Sequence, residues 1–335
     1  MSIEVERAGL QTTLQDLGRT GMQHLGVPVN GAMDEISHRL ANLLVGNDEH
    51  EATLELTLNG PTLRFTEDAV IAICGANMGG SVDRQPLPWY RPIRVPSGAR
   101  VVFGRPAIGC RAYVAISGGF AIEPVLGSRS TALMGGYGGY LGRALKKGDV
   151  LFQRREHEAQ TIRWVRLLSR SHHGIAFPNW SVSRARMPYR VSPQPVRILA
   201  GRHWQAFPVA VREALTQGLY KVALDSDRMG YRLEGTALEA RRSHDVLSES
   251  VVMGAVQVPP GGQPIVLMAD HQTTGGYPII AVVASVDLPV MAQVRPGEEI
   301  QFRMITAEEG YAASTIREHQ LGRIRQSLAV KLAQV

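Results

Sequence analysis

Two guanidinium side chains four residues apart, Arg228 and Arg232, stand in the segment Asp225-Ser226-Asp227-Arg228-Met229-Gly230-Tyr231-Arg232-Leu233-Glu234-Gly235. A planar guanidinium grips a carboxylate or phosphate through two parallel hydrogen bonds, so the pair has the chemistry of an anion clamp. Gly230 lets the backbone approach a ligand or take a positive φ. A charged turn entering a strand fits the same spacing equally well. A second polar segment, Ala269-Asp270-His271-Gln272-Thr273-Thr274-Gly275-Gly276-Tyr277-Pro278, follows an apolar run. Loops at strand ends are where sites sit on a rigid scaffold. Asp270 there is a candidate general base, and Thr273, Thr274 and the Gly275 and Gly276 amides are a candidate anion nest. His271, a lone histidine in a turn, reads as solvated. A third segment, Leu17 to Asp34, holds four glycines and a proline and reads as a tight loop with Arg19, His24 and Asp34 as its polar candidates. Asp34 fits a helix cap better than a site. The run Gly135-Gly136-Tyr137-Gly138-Gly139-Tyr140, preceded by Arg129-Ser130-Thr131, lacks the order of a phosphate-cradling loop and reads as a loop over a site at most.

Familiar chemistries are missing from the pattern. The sequence has no GxxxxGK[ST] loop, no HExxH pair, no GxSxG elbow and no Met-Lys-Met biotin attachment site. Cys74 and Cys110 lie in apolar runs without metal-ligand spacing, and read as buried free thiols of a reducing cytosol. No metal site is expected.

The elements that must carry these residues are mostly strands. Residues 63–65, 70–73, 99–103 and 111–116 are short apolar runs bounded by Gly, Pro, Asn and Ser, the spacing of a barrel or sandwich. Further strands are expected at 197–199, 263–268 and 279–284, and short helices at 34–44 and 207–215. In the first helix Ile36, Leu40, Leu43 and Leu44 share a face, Asp34 caps and Gly46 terminates. Leu321, Ile324, Leu328 and Leu332 give the stretch 307–332 a helical stripe. The turn and strand at 95–103 echo those at 294–302, which fits either a duplicated barrel or one turn chemistry used twice.

With 335 residues the chain suits two domains, and 44% hydrophobic and 20% charged residues suit globular packing. No apolar run approaches the roughly 20 residues of a membrane span. The opening Met1–Glu6 has neither a basic nor an apolar leader region, so no secretory signal is expected. Net charge is +6, with eight arginines and no lysine between Arg154 and Arg190. No nucleic-acid motif accompanies that cluster, which reads as a basic linker or partner-facing surface. The expected division is 1–160, a β-rich domain; 161–195, a basic linker; 196–310, a second β-domain; and 311–335, a helix.

Taken together, the blocks resemble a known family. Gln11-Thr12-Thr13-Leu14-Gln15-Asp16-Leu17-Gly18-Arg19, Gly31-Ala32-Met33-Asp34 and Arg39 to Asn47 open the match. Leu54-Glu55-Leu56-Thr57, Gly60-Pro61-Thr62-Leu63, Leu126 to Thr131, Ser226 to Arg232, Gln257-Val258-Pro259-Pro260 and Gln272 to Pro278 continue it in order. This pattern is similar to the KipA family, whose members include the C subunit of 5-oxoprolinase and allophanate hydrolase subunit 2 and resemble the carboxyltransferase part of urea carboxylase. The chain departs from the pattern at Ile279, where a basic residue is frequent, and at Met253, where proline is common.

The resemblance implies a mainly β fold with a few helices, built as two cyclophilin-like β-barrel domains. It implies an ATP-dependent 5-oxoprolinase acting in the cytoplasm with a KipI-like B subunit and a LamB/YcsF-like A subunit, opening 5-oxo-L-proline to L-glutamate. ATP, with Mg2+ as its companion ion, is the expected cofactor, with no covalent biotin on this chain, no nucleic acid and no membrane. On the matched blocks together with the polar segments read above, Asp270, Arg228 and Tyr231 are the expected catalytic residues. Arg232, Ser226, Arg129, Gln257, Thr273, Thr274, Gly275, Gly276, Tyr277, Arg19 and His24 are the expected substrate- or anion-binding residues. Two rival functions are a biotin-dependent carboxyltransferase component and a regulator that sequesters a KipI-like kinase inhibitor.

Overall fold

The computed structural model describes residues 1–154, 158–168, 174–183, 192–240 and 246–333. The chain forms two compact units, each discontinuous in sequence. Unit 1 comprises Met1–Gly18, Asp34–Pro188 and Gln320–Val335, and unit 2 comprises Arg19–Met33 and Tyr189–His319.

Unit 1 holds β1 (Ser2–Arg7), β2 (Gln11–Gln15), α1 (Glu35–Leu44), β3 (Thr53–Thr57), β4 (Thr62–Phe65), β5 (Ala69–Gly75), β6 (Ser81–Val82), β7 (Gln85–Pro86), β8 (Pro92–Val95), β9 (Arg100–Val102), β10 (Arg111–Ile116), β11 (Val150–Phe152) and α2 (Glu158–Leu168). They make a six-stranded sheet in the order β11-β1-β4-β9-β6-β7 and a five-stranded sheet in the order β2-β3-β10-β5-β8. Every residue of β5 and β10 is buried. Strands covered on both faces read as continuous apolar runs rather than alternations, which is why Val70-Ile71-Ala72-Ile73 was legible. The core gathers Leu54, Phe65, Ile71, Ile93, Phe103, Val114 and Phe120, all 1% exposed or less.

Helix α1 packs on β5 and β10. Asp34 caps it, accepting from Ser37 N–H at 3.0 Å and Ser37 Oγ at 2.6 Å, a contact of the kind that contributes about 1 kcal/mol. Gly46, at φ 77°, ends it as expected. The buried face differs from the apolar stripe read from sequence. Ile36 is half-buried, whereas Ser37, His38 and Asn42 are fully enclosed. Hydrogen bonds make that tolerable: His38 bridges Thr53 Oγ1 (2.8 Å) and Glu49 O (3.0 Å), and Asn42 Nδ2 donates to Glu51 O (2.7 Å). Burial pushes the His38 imidazole down to about 4, against the opposing charges of Asp16 and Glu55, so the ring is neutral near pH 7.

Unit 2 holds β12 (Gln194–Ala200), α3 (Val209–Gln217), β13 (Leu219–Val222), β14 (Gly230–Glu234), β15 (Glu249–Ser250), β16 (Ala255–Gln257), β17 (Ile265–Leu267), β18 (Thr274–Gly275), β19 (Ile279–Val283), α4 (Leu288–Gln293), β20 (Glu299–Met304) and the first part of α5 (Ala307–Ala333). Seven strands close a barrel in the order β12-β19-β16-β17-β14-β13-β20, shut by the parallel pairing of β12 with β20. Closure leaves that sheet no edge. The interior is filled by side chains including Val196, Tyr220, Tyr231, Val256, Val266, Ile280 and Phe302, so it is a core and not a pore. Met33, from the segment that precedes α1, belongs to this core. Strands β15 and β18 form a separate two-stranded flap.

The chain is thus mainly β, with a closed barrel in unit 2 and two sheets in unit 1. Part of the stretch read as linker is structured: α2 packs on β5 and β8, and Trp164, 2% exposed, donates Nε1–H to Val45 O at 2.9 Å. Of the eight clustered arginines, Arg155, Arg170, Arg184, Arg186 and Arg190 lie outside the described residues. Cys74 and Cys110 are buried and form no disulfide; burial, aided by the Asp34 charge, pushes the Cys74 thiol up, which leaves it unreactive.

Candidate functional site

Strands β14 and β17 pair with Gly230 opposite Leu267 and Tyr231 opposite Val266. The ladder runs on past the strand ends: Met268 N–H donates to Met229 O (2.9 Å) and Asp270 N–H to Arg228 O (2.8 Å). This brings the two polar segments singled out in the sequence side by side. Arg228 Nε and Nη2 donate to the two oxygens of Asp270 at 2.9 Å each, and both side chains are only 3% exposed. Arg228 Nη2 also donates to Gly31 O (2.7 Å), and Asn30 Nδ2 donates to Asp270 Oδ1 (2.8 Å). Arg19 in turn donates Nη1–H to Asn30 Oδ1 (3.2 Å), and its own N–H to Val29 O (2.7 Å). Asn30 and Gly31 sit at φ 58° and 93°, a left-handed pair that asparagine and glycine tolerate.

The result is a strap. Residues 19–33 are pinned at their base to the barrel by one buried ion pair, while the tip around His24 is exposed. A buried pair of this kind roughly balances its own desolvation, but losing one partner strands a charge in the interior. The fork edge of Arg228 that would clamp an anion is occupied by Asp270, and Asp270 is occupied as an acceptor. Their joint geometry is that of a fastening.

The other expected residues fall into different settings. Tyr231 is 2% exposed inside the barrel core. Arg232 lies on the surface, 60% exposed, with Asp225 at 3.1 Å. Ser226 Oγ accepts from Arg232 N–H (3.1 Å), and Asp227 Oδ1 accepts from Met229 N–H (2.8 Å), so both shape the turn. Thr274 and Tyr277 are exposed and Thr273 half-buried. Thr274 and Gly275 form β18, and neither Gly275 nor Gly276 has a positive φ, so the alternating right- and left-handed backbone of an anion nest is not formed there. His271 is 3% exposed, not solvated, with Nδ1 2.5 Å from Gln272 O. Burial lowers its pKa against the opposing Gln272 carbonyl and Asp270 charge. The irregular extension of the β14–β17 ladder carries it inward.

Arg129 belongs to unit 1, where its N–H donates to Asp16 Oδ2 (2.6 Å) and its Nε to Ile122 O (2.8 Å). Asp16 also accepts from Ser128 Oγ, Ser130 Oγ and Gly18 N–H. Burial alone would raise the Asp16 pKa, but these hydrogen bonds hold it below the ordinary carboxylate value. The Leu126–Thr131 block is therefore built around an internal carboxylate. In the glycine-rich run beyond it Ala132 and Gly136 are tied back by 2.9 Å backbone bonds, Ala132 N–H to Tyr137 O and Gly136 N–H to Ala132 O, so the run is a folded turn.

A further polar group lies on the outside of the unit 2 barrel. Gln257 on β16 is 2% exposed and its Nε2 has no hydrogen-bond partner among the described residues. Glu249 on β15 holds Arg202 through Oε2 (2.6 Å), while its buried Oε1 has no hydrogen-bond partner among them. His203 Nδ1 accepts from Ile279 N–H at 3.1 Å. Gln257 was expected as an anion contact; Glu249 and His203 were missed by sequence reasoning, because neither carries a motif that would have found it. Among the described residues no group of three or more His, Cys, Asp or Glu side chains could hold a metal ion, and no helix is long and apolar enough to cross a membrane.

Known proteins share this architecture. The carboxyltransferase domain family, subdomains A and B, matches residues 25–304. The C subunit of 5-oxoprolinase from Haemophilus influenzae is 36% identical over 94% of this chain and 95% of its own length. The protein of the same name from Escherichia coli is 37% identical over 93% of this chain and 94% of its own. The crystal structure of Kluyveromyces lactis urea carboxylase superposes with a TM-score of 0.86 at 32% identity; 96% of this chain is covered, but only 29% of that enzyme. With the barrel and most of the strap inside the matched span, the chain belongs to the carboxyltransferase domain family, subdomains A and B.

Proposed function

We propose that this chain is the C subunit of an ATP-dependent 5-oxoprolinase that opens 5-oxo-L-proline to L-glutamate in the cytoplasm, together with a KipI-like B subunit and a LamB/YcsF-like A subunit. The observation that carries the proposal is end-to-end identity of 36% and 37% with the C subunits of two bacterial 5-oxoprolinases. A lactam carbonyl is a poor electrophile, and coupling to ATP supplies the activation that ring opening needs. The expected phosphate ligands of this chain do not suit that task. Arg228 is neutralised by Asp270, and the Gly275-Gly276 turn is strand-like and not a nest. No nucleotide step is assigned to them, and the ATP chemistry, with any Mg2+, is placed in the assembled complex.

In this reading Arg228, Asp270, Asn30 and Arg19 are positioning residues that hold the strap and its His24 tip. The exposed Arg232, Thr274 and Tyr277 are left to meet the bound species or a partner subunit. The test is reconstitution. The chain is combined with its A and B candidates, and ADP and glutamate are measured from 5-oxo-L-proline, omitting each of the three in turn. Glutamate must appear only when all three are present.

A second reading, favoured by the superposition with urea carboxylase, is carboxyl transfer from a biotin carrier on another chain. It requires that the chain consume carboxybiotin in the presence of urea, which the same preparation can be asked to do.

A further inference from the structure

Among the described residues, seven other than glycine sit in the left-handed region of backbone space. That region suits glycine, asparagine and aspartate, and is unfavourable for a side chain such as leucine. Asn30 is bonded within the strap, and Asp83 and Arg84 make the two-residue turn between β6 and β7. Tyr90 is buried with its hydroxyl on the Gly75 backbone, and Leu58 is half-buried. Leu126 (φ 52°) and Leu141 (φ 55°) differ from these, being 46% and 74% exposed. Burial explains neither leucine, and the backbone opposes both.

Unit 1 holds both leucines on firm mounts. Leu126 and Gly127 are the tip of a tight turn closed by Val125 N–H to Ser128 O (2.8 Å) and Ser128 N–H to Val125 O (3.2 Å). With both central residues left-handed, this is a turn that ordinarily takes Asn-Gly. Asp16 ties its base down through Ser128 Oγ and Arg129 N–H. Leu141 stands on the glycine-rich loop, which is fastened to β2 at both ends, by Thr131 N–H to Leu14 O (2.9 Å) and Leu145 N–H to Thr12 O (2.8 Å). Gly142 N–H closes the last turn on Gly138 O (2.8 Å). A Cβ on Gly139 would strike Thr131 Oγ1 and one on Gly142 the Gly136 carbonyl, so the loop has no room to be anything but this shape. Met134 in the same loop is 76% exposed, and no residue from Ser130 to Gly142 carries a charge at neutral pH.

A left-handed leucine in water brings the free chain backbone strain without burial. An outlier kept on those terms points to a function. Uncharged apolar side chains on a preorganised mount have the make-up of the centre of a protein–protein contact, where charged residues are depleted and little ordering remains to be done on binding. We propose that Leu126, Met134 and Leu141 are the apolar anchors through which unit 1 docks into an uncharged recess on another subunit of the complex. The inference rests on the 5-oxoprolinase reading for the identity of that partner.

The experiment titrates the full chain, as wild type, Leu126→Asn, Leu141→Asn and Leu141→Met, with the KipI-like and the LamB/YcsF-like subunit in a calorimeter. Asparagine suits a left-handed backbone and removes the anchor; methionine keeps an apolar anchor. The expected result is that both asparagine variants weaken association with the same subunit about tenfold or more, as loss of a contact anchor does. The factor should be equal at low and high salt, because no charge is removed, and Leu141→Met should bind like wild type. Free in solution, the asparagine variants should melt at the wild-type temperature or above it; a leucine that serves the fold would lower it, and that result overturns the inference. Unchanged association in both asparagine variants, with glutamate still made by the complex, overturns the inference and leaves the function standing. Leucine-dependent association with a subunit, in a complex that makes no glutamate, removes the function and keeps the docking surface. Wild type that binds neither subunit overturns the inference, as does leucine-dependent self-association or binding to phosphatidylcholine vesicles in place of a subunit.

Discussion

The unit 2 barrel carries two buried polar regions that differ in one respect. At the end of β14, Arg228 and Asp270 satisfy each other, and Asn30 and the Gly31 carbonyl add further bonds. Beside the flap, Gln257 Nε2 and Glu249 Oε1 are left without hydrogen bonds among the described residues. The first region has the charges that attract attention in a sequence, and its geometry spends them on holding a strap. The second has a neutral amide and a half-used carboxylate, and its geometry leaves one donor and one acceptor without hydrogen bonds. Density of charge marks where a fold is fastened as readily as where it acts.

The contrast between the regions is largest at Asp270. Asp270→Ala strands Arg228 in the interior and is expected to lower stability by about 3–5 kcal/mol in urea unfolding. The double variant Arg228→Met with Asp270→Leu should recover most of that loss; a double variant as unstable as the single one would mean that the pair does more than fasten. Unit 1 offers a second buried polar group that is fully answered, His38. Its pKa falls from 6.5 to about 4 on folding, so between those values the unfolded chain binds more protons than the native one. Stability therefore rises with pH across that window, is fully present above pH 6.5 and is lost as pH falls through 4. The difference integrates to about 3 kcal/mol. In His38→Gln that contribution to the pH slope should vanish, as read from denaturant midpoints at about pH 4.5 and about pH 7.5. At Gln257 the sign reverses: Gln257→Met should leave stability unchanged or raise it by up to about 1 kcal/mol. The smallest effect is expected at Arg232, whose exposed pair with Asp225 should contribute less than about 0.5 kcal/mol when Arg232→Ala is measured.

Local signals made much of this fold legible. The apolar runs of β5 and β10, the Asp34 cap and the Gly46 stop act within a few residues of themselves, and each is visible in sequence. The strap is not. Asn30 and Asp270 are 240 residues apart, and nothing in Val27-Pro28-Val29-Asn30-Gly31 announces that it belongs with a barrel formed mostly after residue 192. Arg228 and Asp270 were readable as candidates from residue type, but that they would meet and neutralise each other depended on the ladder running on past β14. His271 was misread for the same reason, since a turn that is drawn into the ladder buries what a free turn would expose. Glu249 and His203 had no local pattern, and their interest comes from which of their atoms have partners, a property of three-dimensional packing alone.

The most direct test of the proposed function is a single reaction mixture of 5-oxo-L-proline, ATP and the two partner subunits, run with and without this chain. Glutamate and ADP are predicted to form together only when the chain is present. Glutamate formed at the same rate without it, or none formed with all three subunits present and folded, would contradict that function.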